Sequence, residues 1–328
     1  MALIKMGSIV SDISGSLAGH TLQQSHYGLQ LRTKPCYKPQ PSNSQYLIRS
    51  SIKRLQGLWG QLTSSQRNNW NLYSPKPLAG HSYFIKYNMY LLSIGYVFIN
   101  NFPFYPSKPW LYSYPLLLSY GDTFGFYDSL DLSTIAKTPD NYVSQWSDKL
   151  LSVRNLIQPA ADRMPLFSPS GILFDGTSDF MAIPAFSLLQ PFTFYMVFSF
   201  VSWTYGSYIM RSYQTYSTYW RQHPSIANRI IFYAGGTGLG IPVSSVGIPF
   251  LFRNVFNYAN SYARCNLSSK IIGNIGSNGI VYFILGTSTS GSSWSNILVK
   301  ELIIRNIADT DSDSAIIADY LNKKYSIW

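Results

Sequence analysis

From residue 121 onward, apolar residues come in short alternating or continuous runs broken by Gly, Ser, Pro and Asn, the pattern of antiparallel strands. In 171–180 (GILFDGTSDF), Ile172 and Phe174 alternate into the turn former Asp175-Gly176, and a second apolar step, 180–183, follows. This predicts a strand pair joined by a short loop at a sandwich edge. The run 192–203 (FTFYMVFSFVSW) is nearly all apolar and predicts a central strand, with further strands at 142–148, 229–233, 250–256 and 280–285. Residues 294–306 (WSNILVKELIIRN) predict one long strand. A helix over 312–325 closes the chain, with Asp309, Asp311 and Asp313 at its start and Lys323 and Lys324 at its end, as the helix dipole favours.

The first 120 residues read differently. Gly7, Gly15, Gly19 and Gly28 punctuate short strands within 6–34, and 35–41 (PCYKPQP) predicts an extended linker. Ile48, Ile52, Leu55 and Trp59 then fall on one helical stripe. Thr63 and Gln66 form a capping-box pattern for a second helix, which carries Trp70 and Tyr73 and stops before Pro75. The expectation is a two-helix hairpin. Residues 89–120 hold Pro103, Pro106, Pro109 and Pro115 among aromatics, predicting an extended connector packed on another surface. The resulting division is a small α+β module over 1–88, a Pro and aromatic connector over 89–120, and a β domain over 121–328.

The chain has 328 residues, 46% of them hydrophobic, enough for a sizeable core, and its 16% aromatic content is dominated by 26 Tyr. Its net charge of +11 is concentrated in residues 1–120, which hold 11 Lys and Arg against the single acid Asp12. Such a segment attracts polyanions or an acidic partner. Cys36 and Cys265 provide no disulfide framework. No secretory leader is read at the start, and the longest apolar stretch, 89–99, is short of the ~20 residues of a membrane span. The expectation is a soluble protein made in a cytoplasm, without a membrane role.

Four motifs in order, YVSQWSD at 142–148, FDGTSD at 174–179, ELIIRN at 301–306 and YLNKKY at 320–325, make residues 121–328 resemble the concanavalin A-like lectin and laminin G-like jelly-roll family. The resemblance implies a mainly β chain with a jelly-roll sandwich and a terminal helix. The N-terminal segment resembles a module of virion-associated proteins of tailed phages that infect Bacteroidetes. The matching positions are Gly7 and Ile9, Ser14-Gly15 with Leu17 and Gly19, Arg32, Gln45 and Arg49, 59–63 with Gln66, Arg67 and Trp70, and Gly80, Phe84 and Asn88. It implies a virion setting, with Arg32, Arg49, Trp59, Arg67 and Trp70 as attachment residues. Leu22 stands where that module has Phe or Tyr.

Candidate chemistry is sparse. Glu301 is the lone glutamate, and with Ile303 and Arg305 at i+2 and i+4 it lacks the paired acid a glycosidase uses, so no catalytic residue is assigned. His20, His26, His81 and His223 show no zinc-ligand spacing, and GGTGLG at 235–240 misses the dinucleotide register. Asp175 and Asp179 are the candidate Ca²⁺ ligands, or else an Asx-turn and a loop cap; no other cofactor is expected. The helical pair invites a nucleic-acid reading, which the absence of a recognition helix disfavours. The ligand surface is assigned to Trp203, Tyr205, Tyr208, Arg211, Tyr213, Tyr216, Tyr219 and Trp220, with Arg221 beside them, because sugars stack on aromatic faces while polar groups fix hydroxyls. A packed sandwich strand against a neighbouring subunit would use the same residues.

These readings lead to a non-enzymatic phage virion protein, assembled with other virion proteins through its N-terminal module and forming homo-oligomers. Its jelly roll would contact host-surface glycan. The alternatives are a capsid or tail decoration protein that binds no sugar, and a glycan-degrading enzyme of the same fold.

Overall fold

The computed structural model describes residues 15–17, 20–25, 28–33, 42–75, 77–101, 113–119, 121–151, 153–212, 218–287 and 293–328, the first three segments through their backbone alone. The chain divides into two compact units, residues 1–62 and 63–328. In the first, β1 (Gly15–Leu17), β2 (His20–Ser25) and β3 (Gly28–Thr33) form an antiparallel sheet, followed by α1 (Asn43–Gln61). The expected linker at 35–41 and the motif positions Gly7, Ile9, Ser14 and Gly19 lie outside the described residues. Helix α1 starts on a capping box, with Ser42 Oγ accepting from the Gln45 N–H at 3.2 Å. Of its predicted stripe, Leu55 is buried, Ile52 and Trp59 are half-buried, and Ile48 is exposed.

The second unit opens with α2 (Ser64–Tyr73), whose capping box is made by Thr63 and Gln66 as the sequence predicts. Its packing partner is α3 (Gly80–Ser93), which carries Gly80, Phe84 and Asn88 on one buried face. A Cβ at Gly80 would lie 2.7 Å from the Trp70 carbonyl carbon, so only Gly lets the two helices approach this closely. Asn88 is fully buried and fully used: its Nδ2 donates to the carbonyls of Phe84 and Ile99 at 3.0 and 3.1 Å, and its Oδ1 accepts from the Ile99 N–H at 2.7 Å.

Two antiparallel sheets then form a sandwich. The strands are β4 (Thr123–Asp128), β5 (Ile135–Lys137), β6 (Val143–Trp146), β7 (Leu156–Ile157), β8 (Leu166–Ser168), β9 (Gly171–Asp175), β10 (Met181–Leu188) and β11 (Phe192–Phe200). They continue as β12 (Tyr208–Ser212), β13 (Thr218–Gln222), β14 (Arg229–Ala234), β15 (Leu239–Pro242), β16 (Phe250–Phe256), β17 (Tyr262–Cys265), β18 (Ile271–Ile272), β19 (Ile280–Leu285) and β20 (Asn296–Arg305), before α4 (Asp311–Tyr325). One sheet has nine strands in the order β15-β14-β13-β12-β19-β10-β7-β6-β5. The other has eight, β18-β17-β16-β11-β20-β9-β8, with β4 also pairing with β20.

Strand β11 is central, between β16 and β20, and all nine of its residues are buried. Phe192, Phe194, Met196, Phe198 and Phe200 point between the sheets, where Phe194 meets Trp220 edge-on at 5.5 Å. Its alternate residues face the eight-stranded sheet's outer side, which α4 covers. There the Tyr195 hydroxyl donates to Asp309 Oδ2 at 2.8 Å and Arg305 pairs with Asp309 at 3.0 Å. Tyr96 lies against Tyr320 and Tyr114 against Phe126, with centroids 6.3 and 5.2 Å apart, so the described ends of the aromatic connector pack here. Pro103, Pro106 and Pro109 lie outside the described residues.

The Asp175-Gly176 turn does not close the expected hairpin. Strands β9 and β10 belong to different sheets, and the turn carries the chain from one to the other. The Asp175 carboxylate accepts the N–H groups of Thr177, Ser178 and Asp179 at 2.8, 2.9 and 3.1 Å, so the backbone wraps around this side chain and away from a two-residue reversal.

Candidate functional site

Alternation along three neighbouring strands of the nine-stranded sheet, interrupted on β12 by a register shift between Tyr208 and Met210, sorts side chains onto two faces. Inward go Ile209 and Met210, Trp220, and Ile230 with Phe232. Outward and half-buried stand Tyr208 and Arg211 on β12, Tyr219 and Arg221 on β13, and Arg229, Ile231 and Tyr233 on β14. The register sets Arg211 opposite Tyr219, Tyr219 opposite Tyr233, and Tyr208 opposite Arg221. Tyrosine and arginine therefore interleave across the sheet.

The rings are in mutual contact. Tyr219 stacks on Tyr233 with centroids 4.8 Å apart, and Tyr208 meets Tyr219 edge-on at 5.3 Å. The Arg211 guanidinium lies 4.9 Å over Tyr208, and that of Arg221 5.5 Å over Tyr219. Burial pushes the Tyr219 hydroxyl above the usual phenol range against the pull of Arg221. A Cβ at Gly238, just before β15, would come within 2.9 Å of Ile231 Cγ2, and one at Gly240 on β15 within 2.9 Å of Arg229 Cδ. The edge strand thus lies close over the Arg229 stem, through glycines of the GGTGLG run at 235–240.

The expected ligand stretch is divided by this alternation. Tyr208, Arg211 and Tyr219 share the outer face. Trp220 points the other way, is fully buried between Phe194 and Phe252, and is closed to a surface ligand. Trp203 packs on Phe200 at 4.8 Å at the core's margin, and Tyr205 is exposed on a loop. Tyr213 and Tyr216 lie outside the described residues. The sequence reading missed Arg229 and Tyr233, which the alternation of RIIFYA against Tyr219 and Arg221 would have placed beside them.

Of the expected attachment residues, Arg32 lies on β3, Arg49 is exposed on α1, and Trp59 and Arg67 are half-buried. Trp70 is fully buried in the α2–α3 core, where its Nε1 donates to the Asn100 carbonyl at 2.6 Å and its ring meets Phe84 edge-on.

Two sets of carboxylates stand apart from the tyrosine face. Asp175 and Asp179 border a cleft of about 280 Å³, together with Tyr142, Asp162 and Met164. Burial works to raise the Asp175 pKa, but the N–H of Ser178 and the hydroxyl and N–H of Thr177 outweigh it and bring it down to about 2. Asp179 goes the other way, raised to about 6 by burial and by the neighbouring Asp175 charge. Among the described residues no group of three or more His, Cys, Asp or Glu is placed to hold a metal ion.

The second set lies under α4. Glu301 Oε2 accepts from Lys324 Nζ at 2.6 Å and from the Tyr325 hydroxyl at 2.7 Å. Asp128 Oδ2 takes Lys324 at 2.7 Å and Lys149 at 2.9 Å. Burial raises the Glu301 pKa against the pull of Lys324. Burial also opposes the ionised form of Asp128, but Lys324 and Lys149 hold it well below the usual carboxylate range. Glu301 thus has the acidic neighbour it appeared to lack, supplied across the β20–β4 pair instead of along its own strand.

No known protein family and no curated protein matches the sequence. Solved structures similar in fold include Trypanosoma rangeli sialidase, at 9% identity and TM-score 0.45, with 93% of this chain and 42% of that one aligned. A GH54 α-L-arabinofuranosidase aligns at 8% identity and TM-score 0.43, over 57% of this chain and 51% of that one. Domain 4 of AbnA, a GH43 extracellular arabinanase from Geobacillus stearothermophilus in complex with arabinotriose, aligns at 11% identity and TM-score 0.42, over 61% of this chain and 98% of the domain. The chain spans less than half the length of the sialidase it matches. The expectation of a non-enzymatic protein is corrected at this point: the isolation of Glu301 that supported it is not found in the fold, where Asp128 stands opposite on β4.

Proposed function

We propose that the outer face of the nine-stranded sheet is a glycan-contact surface, carried by Tyr208, Arg211, Tyr219, Arg221 and Tyr233. The supporting observation is the interleaving of phenol and guanidinium groups on one rigid face, which offers hydroxyl and N–H partners to a ligand rich in hydroxyls. The setting we propose is the virion of a tailed phage, with the basic N-terminal segment as attachment module. That setting rests on the motif resemblance of the segment and on its charge. Screening the full chain on a glycan array tests the surface: binding that Tyr219→Ala abolishes in a folded variant supports it, and failure to bind any glycan sinks it.

A second reading, turnover of a glycan, draws on the cleft at Asp175 and Asp179, where two neighbouring carboxylates have acidities driven apart, as an acid and base pair requires. Release of reducing ends from a polysaccharide by the wild-type chain and not by Asp179→Asn would favour it. Equal release by both would remove the cleft from consideration.

A further inference from the structure

No aspartate or glutamate occurs between Asp179 and Glu301, and β12, β13, β14 and β15 all come from that interval. The sheet face they build holds three arginines, Arg211, Arg221 and Arg229, and none of them has an ion pair within the described residues. Arg305, on the opposite sheet, shows what this chain does with a cation it compensates itself: its guanidinium bonds Asp309, Thr123 and the Leu117 carbonyl. On the tyrosine face the Nε atoms of Arg211 and Arg221 are shielded from solvent and have no acceptor. The groups acting on the Tyr219 hydroxyl are Arg221, Arg211 and the two neighbouring tyrosines, with no carboxylate among them.

We infer that this face takes a carboxylate-bearing glycan, with Arg211, Arg221 and Arg229 receiving its negative charges and the tyrosine hydroxyls its hydroxyl groups. The inference rests on the glycan-contact reading above and adds the charge of the ligand. Each of Arg211 and Arg221 is laid over a tyrosine ring, which restricts the guanidinium plane and leaves its terminal amino groups as the available donors; a carboxylate accepts two such bonds side by side. Two observations favour a glycan over a nucleic acid. Base recognition needs free ring faces, but Tyr219 has Tyr233 on its ring and Arg221 beside it, and Tyr208 has Arg211. The phenols therefore meet a ligand with their hydroxyls and edges, which suits sugar hydroxyls more than bases.

The test is affinity measurement on the full chain with polygalacturonate, alginate and hyaluronate, each against its carboxyl-reduced neutral counterpart, over a range of salt. The expected result is that at least one acidic polymer binds about tenfold or more tighter than its neutral form, weakens as salt rises, and loses about tenfold with Arg211→Gln or Arg221→Gln. Lys86→Gln, which removes an exposed positive charge on α3, leaves affinity unchanged. Thermal melts confirm that each variant is folded, and Arg229→Gln provides a third site should either of the first two unfold. Equal binding of acidic and neutral polymers overturns the charge assignment and leaves the glycan reading standing. Silence from all six polymers overturns both. Binding of a single-stranded oligothymidylate as tight as that of the acidic polymers, with the same loss in the arginine variants, replaces the glycan with a nucleic acid.

Discussion

Asp128 and Glu301 stand directly opposite each other on β4 and β20, and one ammonium, Lys324 of α4, lies within 2.7 and 2.6 Å of an oxygen of each. Two carboxylates this close and this buried are tolerable only with a cation between them, so the last turn of the terminal helix is tied to the sheet by charge as well as by Ile317, Tyr320 and Leu321. Lys324→Ala leaves the buried Glu301 uncompensated and Asp128 with Lys149 alone, and is expected to cost about 3–5 kcal/mol in urea unfolding. Lys323→Ala, one residue earlier, removes an exposed pair with Asp319 and should cost about 0.5 kcal/mol or less. Similar losses in the two variants would show that the buried lysine is not the tie described.

Trp220 and Tyr219 are sequence neighbours with opposite fates, and their substitutions should separate cleanly. Trp220→Ala empties a site between the sheets filled against Phe194 and Phe252, and should destabilise by about 3–5 kcal/mol. Tyr219→Ala removes a half-buried outer ring, so unfolding should change much less while glycan affinity falls. A stable Trp220→Ala chain with lost binding would reverse the assignment of faces.

The β signal was legible because alternation and turn residues are local. The strands over β11, β16, β19 and β20 and the helix α4 follow from it closely, as does the capping box at Thr63. What depends on pairing between distant segments was not legible. Asp175-Gly176 has the residues of a hairpin turn, yet whether the next strand returns to the same sheet is decided by which partners lie beyond it. The same holds for Asp128, which lies far from Glu301 in sequence and opposite it in register. On the tyrosine face, composition drew attention to the right stretch but could not sort Tyr219 from Trp220 without the strand phase, and it stopped short of Tyr233 on the next strand. Helix α3 left a readable trace, the four-residue spacing of Gly80, Phe84 and Asn88, which the sequence reading recorded as a motif and not as a helical face.

That spacing yields a prediction in which local and tertiary effects oppose each other. In an exposed helix, Gly to Ala gains about 1 kcal/mol in propensity. At Gly80 the new methyl would meet the Asn71 amide nitrogen at 2.6 Å and the Trp70 carbonyl carbon at 2.7 Å, both backbone atoms that cannot swing aside. Gly80→Ala is therefore expected to destabilise by about 1–3 kcal/mol and to shift the Trp70 fluorescence. A stabilised variant would mean that the two helices do not approach this closely.

Asp179 gives the pH dependence a defined sign. Its folded pKa, about 6, lies above the ordinary carboxylate value, because burial and the adjacent Asp175 charge disfavour ionisation. The folded chain then binds more protons than the unfolded chain between about pH 4 and pH 6, so this group's contribution is fully present at the acid end and is lost as the pH rises through 6. Asp175 is depressed to about 2 and acts in the opposite sense only below pH 4. Asp179→Asn keeps an oxygen able to accept the Asp175 N–H, a bond of 3.0 Å in the native loop, while removing the titration. The melting temperature of the wild type should accordingly fall relative to that of the variant between pH 4 and 6, and run parallel to it above pH 7. Parallel curves across the whole range would show that Asp179 titrates as an ordinary surface acid, and would take with them the acid and base reading of the cleft.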